Sequence, residues 1–116
     1  MDFEPSARVA ELSEELWSFM REHVFPAEKE WDAYLAEHGA HEHPPVMEDL
    51  KREARSRGLW NLFLPRLSGL SHLEYASLAE ITGWSPVLAP EAINCQAPDT
   101  GNMEVFDLFG TPAQKK

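Results

Sequence analysis

A chain of 116 residues, 43% of them apolar, with four Trp and six Phe, has material for one compact domain and no room for a second of ordinary size. No apolar run approaches the ~20 residues of a membrane-spanning helix, which excludes a transmembrane protein, and the acidic start MDFEPSARVAELSEEL lacks the basic patch and apolar stretch of a secretory signal, so the expected compartment is the cytoplasm. Twenty acidic against ten basic residues, a formal net charge of −10, argue against a nucleic-acid partner; only 51–57 gathers several cations, and Glu53 interrupts them.

From Ser6 onward Val9, Leu12, Leu16, Phe19, Met20 and Val24 recur at spacings of three and four, the stripe of an amphipathic helix. Pro26 is expected to end or kink it, because its ring clashes with the preceding turn, and a shorter helical stretch resumes through Trp31, Tyr34 and Leu35. EHGAHEHPP reads as a loop. A third helix is expected over 45–57, with Val46, Leu50 and Ala54 in register, Gly58 at the left-handed position after its end and Leu59 closing the cap. LWNLFLP is a dense apolar linker crossing the core, with Pro65 preventing further helix. Ser71 and Glu74 form a capping box that opens a helix through Leu73, Ala76, Leu78 and Ile81, ending at Gly83.

In SPVLAPEAINCQAP, Ser85 is the expected cap and Pro86 the first helical residue. Asp99, Thr100, Gly101 and Asn102 read as a turn, and 103–109 as a short apolar helix ending at Gly110. Thr111, Pro112 and Gln114 then write the opening of one more helix. Trp60, Leu62, Phe63, Leu73, Ile81 and Trp84 are expected in the core. With no sustained period-two alternation, the expected fold is an all-α helical bundle.

The chemistry on offer is sparse. His38, His41 and His43 alternate with Glu37 and Glu42, but in a Gly- and Pro-bounded loop with no rigid element to aim them, so a solvated loop and no metal site is expected. There is no G-x-S-x-G and no phosphate-cradling loop, and no carboxylate stands out as a general base. Cys95, the single cysteine, lacks a basic neighbour in sequence and reads as a small core or pocket-wall residue. No catalytic, cofactor-binding or metal-ligating residue is assigned.

Taken together, GLWNLFLP, HLEYASLAEITGWSP and above all APEAINCQAPDTGNMEVFDLFGTPAQKK resemble the N-terminal helical domain of the flavin-dependent acyl-CoA dehydrogenase family, in the branch that carries APDTGNME. The match is specific over 46–116 and looser before it. The resemblance implies that residues 1–116 form a single N-terminal domain, and that the middle β-domain and C-terminal helical domain are absent. The helix begun at Thr111 would continue past Lys116 in the complete enzyme. It also implies α,β-dehydrogenation of an acyl-CoA thioester, with FAD as hydride acceptor and a carboxylate base outside this stretch, so the isolated chain is expected to be inactive. Ala92, Ile93, Gln96 and Thr100 are placed around the distal part of the acyl channel. Pro86 and Pro90, and LPRLSGL where many relatives have LPEEYGG, depart from straight-chain members. Uncovered interdomain surfaces imply a homo-oligomer or domain-exchanged dimer. The other reading is a noncatalytic helical module that pairs with a second polypeptide.

Overall fold

The computed structural model describes residues 4–115; Lys116 and the first three residues lie outside them. Helices make up the regular structure, and no strand occurs among the described residues, as expected of an all-α chain. The Ser6 hydroxyl accepts the Val9 N–H and starts α1 (Ala7–Phe19), whose Val9, Leu12, Leu16 and Phe19 are all buried.

Pro26 does not end this helix. A π turn, Met20–Val24, follows α1 directly, with the Phe25 N–H bonded to the Met20 carbonyl five residues back, and α2 (Phe25–His38) continues with Pro26 in its first turn. The wider turn makes room for the ring that an α-helical turn would clash with. Pro26, Arg21 and Glu22 are exposed, so water can reach the carbonyl left without a proline N–H.

Helix α3 (Val46–Ser56) ends as its sequence demands: the Leu59 N–H reaches the Ala54 carbonyl at 2.9 Å and the Gly58 N–H the Arg55 carbonyl at 3.1 Å. Gly58 sits at φ +71°, where a side chain would be strained, and Leu59 is fully buried behind it. The linker buries Leu62, Phe63 and Leu64, and Pro65 opens a single helical turn, α4 (Pro65–Ser68). The expectation that it forbids helix is corrected: a proline at the first helical position gives up an N–H that would be unpaired there.

The Ser71–Glu74 capping box is complete at α5 (His72–Thr82), with the Ser71 N–H donating to Glu74 Oε2 at 2.8 Å. Leu73, expected in the core, is 74% exposed, because five residues' separation turns it about 140° from buried Leu78. Trp84 is 70% exposed and rests against Trp17 at 6.5 Å. Trp60 is half-buried under the Arg55 guanidinium, 4.0 Å from its ring centre. Leu62, Phe63 and Ile81 are buried as expected.

Ser85 does not cap a helix that starts at Pro86: residues 86–88 are turn, and α6 (Ala89–Ala92) begins four residues after Ser85, with Leu88 at its N-cap and Pro90 in its first turn. The supposed turn at 99–102 is already the first turn of helix α7 (Asp99–Phe109), where the Gly101 N–H bonds the carbonyl of the N-cap residue Pro98 at 3.1 Å. Beyond Gly110, Thr111 and Gln114 form the expected reciprocal bonds: the Thr111 N–H to Gln114 Oε1 at 2.9 Å and the Gln114 N–H to Thr111 Oγ1 at 3.4 Å.

Helix α1 packs on α5 and α3 on α6, with Lys51 Nζ bridging 2.7 Å to Glu91. The strongest polar tie centres on Arg57, which donates to Glu53 at 2.7 Å, Glu22 at 2.9 Å, Ser18 at 3.1 Å and Glu15 at 3.2 Å, joining the end of α3 to α1 and the π turn. The Arg57 hydrogen bond is the main reason that Glu22 and Glu53 are held below the usual carboxylate range. Depressed folded-state values mean that this contribution is present above the unfolded carboxyl pKa and lost as pH falls through the folded one. Thermal melts followed by circular dichroism should therefore show Arg57→Leu less stable than the parent at neutral pH and converging with it as the pH falls below the ordinary carboxylate range. A constant gap across that range would refute the linkage.

Candidate functional site

Two asparagines in left-handed backbone conformation organise the region before α7. Asn61 (φ 60°) lies in the apolar linker and Asn94 (φ 58°) in the turn after α6. Few residues other than glycine tolerate this conformation as well as asparagine. The Asn94 side-chain amide donates to Asn61 Oδ1 at 2.6 Å and to Met103 Sδ at 3.0 Å, and the Asn61 N–H donates to the Ile93 carbonyl at 3.1 Å. Linker, turn and α7 are thus clasped at one point.

Helix α5, the linker, the turn after α6 and α7 border an open surface cleft of about 340 Å3 lined by Phe63, His72, Tyr75, Ala79, Cys95, Thr100 and Glu104. Its inner side is formed by Tyr75 and Cys95, both half-buried. The Cys95 thiol donates to the Ile93 carbonyl at 3.5 Å. Burial pushes both the Tyr75 hydroxyl and the Cys95 thiol above their ordinary pKa values. Both therefore stay protonated near neutrality, and Cys95 is a wall residue with no thiolate to offer as a nucleophile.

Of the four residues singled out for the channel, Thr100 lines this cleft, and its N–H bonds the Gln96 carbonyl at 3.2 Å; both residues are half-buried. Ala92 and Ile93 are fully buried in the core. The structure thus brings Thr100 together with Tyr75, Cys95 and Glu104, and sets Ala92 and Ile93 apart from the cleft. Sequence reasoning misses Tyr75, His72 and Glu104. Glu104 becomes visible as the i+4 partner of Thr100 only when α7 is taken to start at Asp99.

The histidine loop disperses. His38 stacks on Tyr34 at 4.1 Å, and His43 approaches Glu48 at 3.4 Å. No cluster of three or more His, Cys, Asp or Glu is arranged to hold a metal among the described residues. None of the described helices is long and apolar enough to cross a membrane.

The chain is 55% identical over 117 residues to the Mycobacterium tuberculosis (strain ATCC 25618 / H37Rv) protein named probable acyl-CoA dehydrogenase FadE2, an alignment that takes in 99% of this chain and 29% of that protein. By descent, it belongs with the acyl-CoA dehydrogenases. Acyl-CoA dehydrogenase family member 11 of Gallus gallus is 53% identical over 118 residues, 98% of this chain and 15% of that protein. A structure solved as that of an acyl-CoA dehydrogenase from Mycobacterium abscessus superposes with a TM-score of 0.81 at 43% identity, over 97% of this chain and 30% of the other. The chain therefore spans less than a third of the length of these acyl-CoA dehydrogenase relatives. No family model matches it.

Proposed function

We propose that this chain forms the N-terminal portion of an FAD-dependent acyl-CoA dehydrogenase, supplies one wall of the acyl channel and is inactive by itself. The observation that carries the reading is α7. None of its residues is buried, and Val105, Phe106, Leu108 and Phe109 are exposed alongside Leu67. An apolar helical face of this kind marks a surface built to be covered, and relatives of much greater length supply the material to cover it.

In this reading Thr100 and Gln96 face the acyl chain, while Ala92 and Ile93 hold that wall from behind. Their part is to bind, align and exclude water. FAD, when bound, supplies the hydride acceptor for α,β-dehydrogenation. No flavin contact and no proton-abstracting base is assigned to this chain.

Purified alone, the chain is expected to be colourless, unable to oxidise acyl-CoA, and self-associated through α7. Joined to the remainder of the dehydrogenase, in one polypeptide or as a second one, it should show a flavin absorbance band and oxidise acyl-CoA. Flavin binding and turnover by the chain alone would overturn the proposal, as would a complete protein that never acquires flavin.

A further inference from the structure

We infer that the surface formed by Trp17, Trp84, Val87 and Trp31 docks an arginine-bearing segment of a second polypeptide, distinct from the remainder of the dehydrogenase. Trp84 is 70% exposed and Val87 61%, between the end of α5 and the start of α6. Trp17, partly buried against the core, backs Trp84 at 6.5 Å. From Trp84 the chain runs into a groove of about 190 Å3 that Pro86, Val87 and Leu88 line together with Glu28, Trp31 and Asp32 of α2. Three of the four tryptophans thus share one surface. Exposed apolar side chains gathered in this way mark an interaction site, and tryptophan and arginine are the side chains enriched where such sites bind most strongly.

Charge decides what covers it. Glu28 and Asp32 stand about one helical turn apart on α2, with Trp31 between them in sequence. Neither forms an ion pair among the described residues, and the groove lining includes no cation. His43 meets the Trp31 ring edge-on at 6.4 Å and steadies it. An arginine guanidinium satisfies both halves of this surface, because its plane stacks on an indole and its fork bonds carboxylate oxygens. A lysine lacks the plane. A second copy of this chain, at a net charge of −10, would bring more carboxylate than cation. The remainder of the dehydrogenase is assigned to α7, whose exposed apolar residues do not line this groove.

The test titrates the complete, flavin-loaded dehydrogenase by calorimetry with a blocked hexapeptide of alternating arginine and leucine. Saturable binding is expected, weakened by salt and about tenfold weaker when citrulline replaces arginine. Trp84→Ser, and separately the pair Glu28→Gln with Asp32→Asn, should each weaken it about fivefold and leave turnover unchanged. Melting temperature shows that the variants fold. If Trp84→Ser does not, the carboxamide pair decides the question by itself. Absence of saturable binding, equal binding of the citrulline peptide, or folded variants that bind as the parent does would overturn the inference. So would Trp84 emission, taken as the difference between parent and Trp84→Ser, that acrylamide fails to quench, because the dehydrogenase itself would then cover the patch. Self-association lost in Trp84→Ser would give the patch to a second copy and overturn it as well. Each of these outcomes leaves the proposed function standing, since flavin content and acyl-CoA oxidation decide that separately.

Discussion

Phe19→Ala is expected to destabilise the fold by about 4 kcal/mol, from lost burial and the cavity left behind. Phe19 is fully buried where α1 meets the π turn, among Leu16, Met20 and Val24, which are equally inaccessible. Its ring also lies roughly parallel to that of His23 at 6.0 Å. His23 Nε2 is in turn 3.0 Å from the Arg57 guanidinium and 3.4 Å from Glu53. Removing the phenyl ring therefore takes a filler from the core and a support from the polar tie beside it. A domain of this size has roughly 5–15 kcal/mol of stability in all, so a shift of this size is easily read. In urea titrations the midpoint should fall with little change in slope. A loss below about 1.5 kcal/mol would mean that the neighbours close the gap, and that the site is softer than its burial implies.

Asn94→Ala is the second large effect, expected at about 2–3 kcal/mol. Part is the cost of a Cβ-bearing residue without a local hydrogen bond in the left-handed region, and part the loss of the amide bonds to Asn61 and Met103. Asn94→Gly separates the two, because glycine accepts φ 58° without strain. The glycine variant should recover about half of the loss, and denaturant midpoints of the three proteins give the comparison. Equal losses for alanine and glycine would place the whole effect in the side-chain clasp.

Much of the framework is legible in the residues alone, for physical reasons that are local. The stripe from Val9 to Val24 needs only helical periodicity, Gly58 with Leu59 only the geometry of a helix end, and Ser71 with Glu74 only a reach of three residues. The features that escape a sequence reading depend on surroundings. Proline carries opposite meanings before and inside a helix, so Pro65 reads as an obstacle where it is a start. Leu73 and Trp84 are apolar but face outward, and composition does not say which way a side chain points. The cleft draws on α5, the linker and α7. Tyr75 and Cys95 stand twenty positions apart, and no spacing rule joins them. Resemblance can find Thr100, but finding its neighbours needs the fold.

The π turn and Pro26 form a single device with a genealogical corollary. A turn of this kind is equivalent to one residue slipped into an α-helix, which leaves the downstream helix facing the same neighbours. Deleting a residue within Met20–Val24 would therefore preserve the register of α2 while driving the pyrrolidine onto a carbonyl, a penalty of ~3 kcal/mol or more. Insertion and imino acid are thus expected to be inherited together, and kin one residue shorter at this place should carry an ordinary amide donor where this chain has Pro26.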